Sequence, residues 1–359
     1  MRQLSLNQLA PGMIISEDIV SNDSKIIVPA GVVVTDNIIS RLEAYSVFDI
    51  TVQEEQTDTQ PLLSTDLLAK SNYLPTQNQI QEFMSKLTSF LSVFHEAVTR
   101  TCQAGILLDV DHLSEEFTSI LKMEELSANH LFGMLLEMHQ LDESIFSHSM
   151  NVALIANCLA RWLHFPDTTI QTITACGLFH DIGKLYIPTG IINKPDKLTK
   201  EEFEIMKTHT TEGYHLLNQF PMDQHIKDAA LMHHEKCDGS GYPYGLTQDA
   251  IGSFTKIITI ADIFDAMTSE RIYRSSLCPF DVIRYFEDDG LQKYEPEYIM
   301  TFLENVTNSY LNHKVTLSNG MDGTVVFVNK ENYAQPTIKC NNEFWDLSKK
   351  KNIHIEAIL

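Results

Sequence analysis

The sequence predicts a mainly α protein, in which a helical bundle lies between a small α+β N-terminal unit and a small β C-terminal appendage. Apolar residues recur at steps of three and four through most of residues 80–312, which is typical of amphipathic helices. Beyond residue 141 the helices are predicted at 142–163, 168–182, 200–218, 222–236, 256–269, 279–288 and 296–312. Short β-branched runs punctuated by Pro-Gly and Ala-Gly pairs occupy residues 1–56, with a helix expected between them at Asp36 to Tyr45. After residue 312, strands are predicted at Lys314 to Leu317 and Thr324 to Val328, around the turn pairs Asn319-Gly320 and Asp322-Gly323, and at Thr337 to Lys339 and His354 to Ile358.

Changes in composition divide the chain further. A length of 359 residues exceeds what one ordinary core holds, so two or three domains are expected. The segments are a small α+β regulatory unit at 1–56, a polar linker at 57–78, a helical connector at 79–130, the main helical domain at 131–312, and the β appendage at 313–359. The apolar stripe of the connector fits either a seam between two copies in a homodimer or packing on its own domain.

Charge and cysteine usage limit the partners. The formal net charge is −22, which argues against a nucleic acid polymer as partner, because such binding needs many Lys and Arg contacts to phosphate. A small anionic ligand remains compatible where cations concentrate locally. No apolar run reaches the length of a bilayer span, and the N-terminus lacks signal-peptide features, so no membrane association is expected. Six scattered cysteines without a CxxC pair favour a reducing, cytoplasmic location.

Chemistry concentrates in the main helical domain. His180 and Asp181 are adjacent in the segment GLFHDIGKL, and further imidazoles and carboxylates follow the same pattern on neighbouring predicted helices: His148, His209, His233, His234 and Asp262. Any one of them alone is better explained as a hydrogen-bonded core residue. Their distribution over consecutive helices instead predicts a two-metal site in the bundle core. Mixed imidazole and carboxylate ligands suit Mn, Fe or Zn better than Ca, and Asp181 is suited to bridge two ions.

Several local expectations accompany this site. Gly183 is expected to end its helix. His233 and His234 should point roughly 100° apart on a helix, so that one ligates and the other serves a second ion or the phosphate. Glu235 is expected to orient a histidine. In the following glycine-rich loop, Tyr242 or Tyr244 could stack on a purine, although an ordinary turn-rich connector with a packing tyrosine fits the same residues.

The motifs HDIGK, HHEKCDGSGYP and IADIFDAMTSERIYR, in this order and spacing, resemble the HD-GYP family. This family is a branch of the HD phosphohydrolases associated with the breakdown of cyclic di-GMP (c-di-GMP) in bacterial signalling. The resemblance covers roughly residues 140–312, about half the chain. It implies that the main helical domain is an HD-type helical bundle with catalytic function.

The resemblance also implies roles for individual residues. The family's metal-ligand positions match His148, His180, Asp181, His209, His233 and Asp262, and His234 matches a position that can serve a further metal. Lys184 matches the lysine that contacts the scissile phosphate and acts in catalysis together with Asp181. The substrate-binding positions include the signature triplet Gly241, Tyr242 and Pro243, and also Arg271 and Arg274. For Arg274 a solvated helix end is an equally good explanation.

The activity implied is metal-dependent hydrolysis of c-di-GMP to linear pGpG, with onward cleavage to GMP left open, through a metal-bridging hydroxide. Two divalent ions are expected, with iron or manganese favoured. Ser144 stands where some family members carry an acidic residue for a third metal, so a dinuclear site is expected. The alternatives are a non-catalytic c-di-GMP receptor or signalling adaptor that acts on partner proteins, and a phosphodiesterase for another cyclic dinucleotide.

Overall fold

The computed structural model describes most of the chain beyond residue 76 and short pieces before it. The described residues are 2–5, 9, 13, 15–16, 19–20, 26–28, 34, 42, 49–52, 77–104, 108–122, 128–138, 144–269, 276–341, 343–350 and 352–359. The chain forms two compact units, one made of residues 1–72 and 311–359 and the other of residues 73–310. Most of the predicted linker and most of the helix expected at Asp36 to Tyr45 lie outside the described residues; the last two linker residues, Gln77 and Asn78, are helical. The domain limits drawn from the sequence stay a prediction.

The unit of residues 73–310 is helical. Its α-helices are α1 Gln77–Ala104, α2 Val110–Leu121, α3 Ala128–Met138, α4 Ile145–Trp162, α5 Asp167–Phe179, α6 Thr189–Ile192, α7 Lys200–Lys207, α8 His209–Leu217, α9 Gln224–Met232, α10 Ser253–Thr268, α11 Pro279–Lys293 and α12 Pro296–Ser309. Short 3-10 helices occupy Ile182–Tyr186 and Gln248–Ala250. The mainly α class is confirmed. Among the described helices, none combines the length and the apolar character that crossing a bilayer requires.

Helices α4 and α5 form the centre of the bundle. Ser144 caps α4 through a capping box with Ser147, which satisfies backbone groups that the first turn leaves free. Gly177 of α5 lies directly against Ala153 of α4, where an added Cβ would sit 2.5 Å from the Ala153 Cα. Only glycine allows this close approach of two helix backbones. The contact places the C-terminal end of α5 beside the first turns of α4.

A cluster of phenylalanines closes the bundle on the side of α10 to α12. Phe302 lies 5.2 Å from Phe264, 6.0 Å from Phe286 and 6.3 Å from Phe132, measured between ring centroids. All four rings are fully buried. Full burial of each such side chain stabilises the folded state by about 1.5–3 kcal/mol. This cluster fixes α10, the helix that carries Asp262.

The apolar stripe of α1 packs on its own helical unit. Its buried residues are Phe83, Leu87, Phe90, Phe94 and Val98. Phe90 meets Phe117 of α2 at 5.0 Å, and Phe94 meets Phe179 of α5 at 5.6 Å. Of the two explanations that the sequence left open for this stripe, the structure therefore shows intradomain packing.

The other unit contains the described strands. In its N-terminal part, β1 Arg2–Ser5 pairs with β4 Asp49–Val52 and β2 Ile19–Val20 pairs with β3 Ile26–Val28, both antiparallel. The C-terminal part is one antiparallel sheet in the order β8-β7-β6-β5-β9, with β5 Lys314–Leu317, β6 Asp322–Phe327, β7 Thr337–Cys340, β8 Glu343–Asp346 and β9 Ile355–Ile358. The expected β appendage is confirmed, and β8 is a strand that the sequence pattern did not predict.

Candidate metal centre

The segment that follows α5 places the central residues of the site. The helix ends at Phe179, and His180 and Asp181 lie between it and the 3-10 helix of residues 182–186. Gly183 lies inside that 3-10 helix, so the expectation that it terminates the α-helix is wrong. A Cβ at Gly183 would overlap the carbonyl oxygen of His209 and would lie 2.4 Å from the backbone nitrogen of Gly213. Because these crowding atoms belong to the backbone, they cannot move aside as a side chain would. The glycine instead allows the segment to lie against α8.

Four histidines share one hydrogen-bonding pattern. In each, Nδ1 bonds to a protein oxygen: His148 to Asp265 Oδ2 at 2.6 Å, His180 to Gly177 O at 2.7 Å, His209 to Met206 O at 2.7 Å and His233 to Ala229 O at 2.9 Å. A carbonyl or carboxylate oxygen accepts, so Nδ1 carries the hydrogen in each ring. In His180, His209 and His233 the Nε2 atom then presents a lone pair, which is the arrangement found in metal-binding histidines.

The donor atoms form two groups. One contains Asp181, His209, His233 and His234, and the other contains His148, His180 and Asp262. Within each group, one ligand atom from every residue lies within 4.8 Å of the others. Part of this convergence was unexpected, because His233 and His234 contribute to the same group. Helix α9 ends at Met232, so the angular spacing of a continuing helix does not separate them.

Asp181 lies between the two groups. Its Oδ1 is 3.4 Å from His209 Nε2 and 3.6 Å from His233 Nε2. Its Oδ2 is 3.4 Å from His180 Nε2 and 3.5 Å from His148 Nε2. One carboxylate oxygen therefore faces each group, which is the geometry that a bridging carboxylate needs.

The residues fit a pair of divalent cations. His180 Nε2 and Asp181 Oδ1 are buried and have no hydrogen-bond partner, which is costly for polar atoms unless an ion or water satisfies them. His209 Nε2 and His233 Nε2 lie 3.3 Å apart, although the opposite nitrogen of each ring already donates its hydrogen. Two lone pairs facing each other at this distance repel unless a cation lies near both.

Burial holds most of these groups in the state that binds metal. Desolvation lowers the pKa of His209 to about 3 and lowers the pKa of His180 and of His234 as well, so these imidazoles are neutral at pH 7. Burial by itself raises the pKa of Asp181, but the neighbouring charge of Lys184 outweighs it, and the pKa falls well below the usual range. The pKa of Asp262 is lowered likewise, by His148 and His234 against the effect of burial.

His148 differs from the other histidines. Burial lowers its pKa, but hydrogen bonds and charge from Asp262 and Asp265 more than compensate and raise the pKa to about 9. Its Nε2 lies 3.0 Å from Asp262 Oδ1. These carboxylates favour positive charge at this ring, and a metal ion at Nε2 would supply it in place of the proton. Asp265 is a residue that the sequence analysis missed, although it stands three positions after Asp262, on the same helix face.

Lys184 lies at the edge of the centre, where its ammonium group forms an ion pair with Asp181 Oδ2. Its side chain is 18% exposed, whereas that of Asp181 is 1% exposed. Because the ammonium group of Lys184 is partly exposed, it marks the side from which an anion can approach the buried donors.

Glu235 holds the glycine-rich loop. Its buried carboxylate accepts hydrogen bonds from the backbone N–H of Tyr244 at 2.7 Å and of Leu246 at 2.9 Å. The expectation that it orients a histidine is therefore wrong. Gly241 lies directly over this turn, where a Cβ would be 2.5 Å from the backbone of Glu235, so the loop folds back on the segment that carries His233 and His234.

The loop also places Tyr242 over the metal centre. Its ring lies 4.6 Å from the ring of His234 with an interplanar angle of 30°, and the Tyr242–Pro243 peptide bond is cis. Tyr242 thus covers His234, while Tyr244 is 62% exposed. Two predicted site residues, Arg271 and Arg274, lie outside the described residues. Ser144, which stands where some family members carry an acidic residue, serves as the cap of α4.

The helical bundle, with imidazole and carboxylate donors converging from several helices, defines a helical domain with a candidate metal centre. Residues 123–298 match the family model described as an HD domain. This segment of the chain therefore belongs to the HD domain family, and the resemblance on which the sequence analysis relied is confirmed. HD phosphohydrolases are metal-dependent, in agreement with the donor groups described above.

Curated relatives support the same assignment, and one solved structure shares the fold. The chain is 31% identical over 242 residues to a cyclic di-GMP phosphodiesterase of Pseudomonas aeruginosa, covering 67% of this chain and 58% of that protein. It is 39% identical over 132 residues to 3′3′-cGAMP-specific phosphodiesterase 1 of Vibrio cholerae, covering 37% of this chain and 31% of that protein. An HDG"Y"P protein from Bdellovibrio bacteriovorus, at 15% identity and a TM-score of 0.53 over 84% of this chain and 97% of that one, shares the fold. The chain thus spans less than two thirds of these curated relatives.

Proposed function

We propose that this chain is a metal-dependent phosphodiesterase that hydrolyses c-di-GMP to linear pGpG. The observation that carries the proposal is Asp181, whose two carboxylate oxygens face two separate groups of Nε2 donors. A mononuclear site does not need a carboxylate in that position. The c-di-GMP phosphodiesterase of Pseudomonas aeruginosa among the relatives supports the choice of substrate.

The roles follow from position. The two groups would hold one divalent ion each, with Asp181 between them, and His234 at the opening contributes to one group. Such a pair of ions, when bound, activates water and neutralises charge on a phosphoryl group. Imidazoles and carboxylates of this kind suit iron or manganese. Because Ser144 is engaged as a helix cap, the proposal includes two ions and not a third.

The protein's own groups act on the substrate phosphate. Lys184 lies beside Asp181 and can donate to a phosphoryl oxygen, where its charge stabilises the negative charge that develops during attack. The Gly241-Tyr242-Pro243 turn forms the wall next to His234 and limits how the substrate enters. Arg271 and Arg274 belong to the proposal as further phosphate or guanine contacts, on their sequence positions alone.

A second candidate substrate is 3′3′-cGAMP. The relative from Vibrio cholerae that is specific for this compound is 39% identical to part of this chain. The scissile phosphates of the two cyclic dinucleotides are alike, so the donor groups serve both. The difference between the substrates lies in one purine base, and base contacts decide between them.

Cellular context is part of the proposal. A cytoplasmic location is supported by the six cysteines, all of which are free thiols. We assign residues 131–312 the catalytic role, and the α+β unit at 1–56 a regulatory role that acts through dimerisation or signalling partners. The linker 57–78 and the helical connector 79–130 join them, and 313–359 is an appendage.

The receptor alternative would keep c-di-GMP binding and lose turnover.

The test is turnover by anaerobically prepared protein supplied with Fe(II) or Mn(II), with c-di-GMP and 3′3′-cGAMP in competition and products separated by chromatography. We expect metal-dependent formation of pGpG that disappears in Asp181→Ala. The exposed Asp289, which pairs with Lys293 on α11, provides the control Asp289→Ala. Faster cleavage of 3′3′-cGAMP than of c-di-GMP would identify 3′3′-cGAMP as the preferred substrate. Binding of c-di-GMP without any turnover would establish the receptor alternative and overturn the enzyme.

A further inference from the structure

An exposed aromatic ring stands next to the metal centre without a role in it. Phe203 on α7 is 44% exposed, although burial of such a side chain is normally favourable. Its ring lies 6.1 Å from the ring of Tyr242 at an interplanar angle of 79°. The two rings therefore form two nearly perpendicular walls. We call Phe203, Tyr242 and Lys207 the α7 corner.

Lys207 adds a positive charge to the α7 corner. Its Nζ lies 5.6 Å from the ring centroid of Phe203 and 5.8 Å from that of Tyr242. Phe203 and Lys207 are four positions apart on α7, which places them on one helix face. Lys207 also forms an ion pair with Glu204 at 2.7 Å, but Glu204 is largely exposed. An exposed pair of this kind contributes little free energy, so the ammonium group can exchange partners readily.

The α7 corner is connected directly to the donor groups. Tyr242 lies against His234, and His234 lies 4.1 Å from His233 between ring centroids. Phe203 is thus one ring beyond the residue that covers the metal centre. A nucleotide whose phosphate reached the donor groups would extend its sugar and base outward, past Tyr242 and toward Phe203.

We propose that the α7 corner is a purine-binding subsite, in which one base of the cyclic dinucleotide stacks on Phe203 and presents its acceptor edge to Lys207. The inference rests on the proposed function, since it concerns the substrate of the same site. Stacking on an aromatic ring accepts any purine. Guanine offers the acceptors N7 and O6 on one edge, whereas adenine offers N7 beside the donor N6, so Lys207 favours guanine.

The test uses Phe203→Ala with two substrates, c-di-GMP and bis(p-nitrophenyl) phosphate, which is a phosphodiester without a base. Loss of one stacking contact should raise KM for c-di-GMP roughly 5- to 150-fold. Turnover of bis(p-nitrophenyl) phosphate should stay unchanged, because the metal centre is intact. Phe203→Tyr retains an aromatic face and should restore the KM. Ile205, which is 42% exposed on the same helix, gives the matched control Ile205→Ala with wild-type values.

Two results would overturn the subsite. One is an unchanged KM for c-di-GMP in Phe203→Ala, and the other is an equal loss with both substrates, which would mean that Phe203 only supports the fold of the site. Lys207→Met should reduce the preference for c-di-GMP over c-di-AMP, and an unchanged preference would remove Lys207 from base recognition.

Binding keeps this inference separate from the proposed function. Titration calorimetry with c-di-GMP is carried out on the wild-type protein and on Phe203→Ala. A wild-type protein that binds c-di-GMP but does not cleave it contradicts the proposed function and still tests the subsite, because Phe203→Ala must then weaken binding by the same factor. A wild-type protein that neither binds nor cleaves c-di-GMP overturns both.

Discussion

Neutralising Asp265 should weaken one metal position and leave the other intact. Asp265 Oδ2 accepts a hydrogen bond of 2.6 Å from His148 Nδ1, and the Asp265 side chain is 1% exposed. The bond fixes the ring so that Nε2 points to Asp262 and Asp181. In Asp265→Asn the acceptor loses its charge, and an amide N–H turned toward Nδ1 would force the hydrogen onto Nε2, where the metal must bind.

The size of the effect follows from the role of such partners in metal sites. Loss of a carboxylate that orients a ligand histidine typically lowers metal affinity about 10- to 100-fold, or about 1.4–2.8 kcal/mol. The weakened position is the one that His148, His180 and Asp262 would form. Equilibrium dialysis against Mn(II) with metal analysis measures both sites, and Asp289→Asn is the control. Two ions bound by Asp265→Asn with wild-type affinity would refute this account of His148.

Further predictions concern stability. Gly183→Ala should lower the free energy of unfolding in urea by at least about 2 kcal/mol, since its Cβ meets the backbone of His209 and Gly213; Gly190→Ala, with open space around it, should be near neutral. Glu235→Gln should cost about 1–3 kcal/mol by the same measurement, because an amide N–H then faces a backbone N–H of the loop. Removing metal with a chelator should lower the melting midpoint of the helical unit by roughly 10–20 °C, relative to protein in which each of the two expected ions is present at a hundredfold excess over its Kd. A wild-type free energy of unfolding in Gly183→Ala or in Glu235→Gln would contradict the corresponding contact, and an unchanged melting midpoint would contradict metal binding by the folded unit.

Much of the helical fold can be predicted from the sequence, because apolar residues spaced three and four apart indicate amphipathic helices directly. The predicted helices at 142–163 and 296–312 correspond to Ile145–Trp162 and Pro296–Ser309. The predicted helix at 200–218 is two helices, which meet at Thr208. Periodicity continues through this junction, so the pattern carries no sign of the break. The break matters, since it places His209 at the start of α8.

The residues that converge at the candidate metal centre were predictable by type, whereas the groups that orient them were not. A buried histidine in an apolar helix needs a hydrogen-bond partner, but the sequence does not show which group that partner is. For His180, His209 and His233 the partner is a backbone carbonyl, which no side-chain pattern reveals. Glu235 was assigned to a histidine because of its position beside His234, but the loop folds back and its own N–H groups take the carboxylate.

The most direct test of the central claim is the number of ions bound by the wild-type protein and by Asp181→Asn. The claim is that Asp181 faces two metal positions, so its change should affect both. Metal analysis after anaerobic dialysis against Mn(II) should give two ions per chain in the wild-type protein and weakened binding at both positions in the variant, together with loss of c-di-GMP turnover. Three ions in fully active wild-type protein, or two ions of unchanged affinity in Asp181→Asn, would contradict the account.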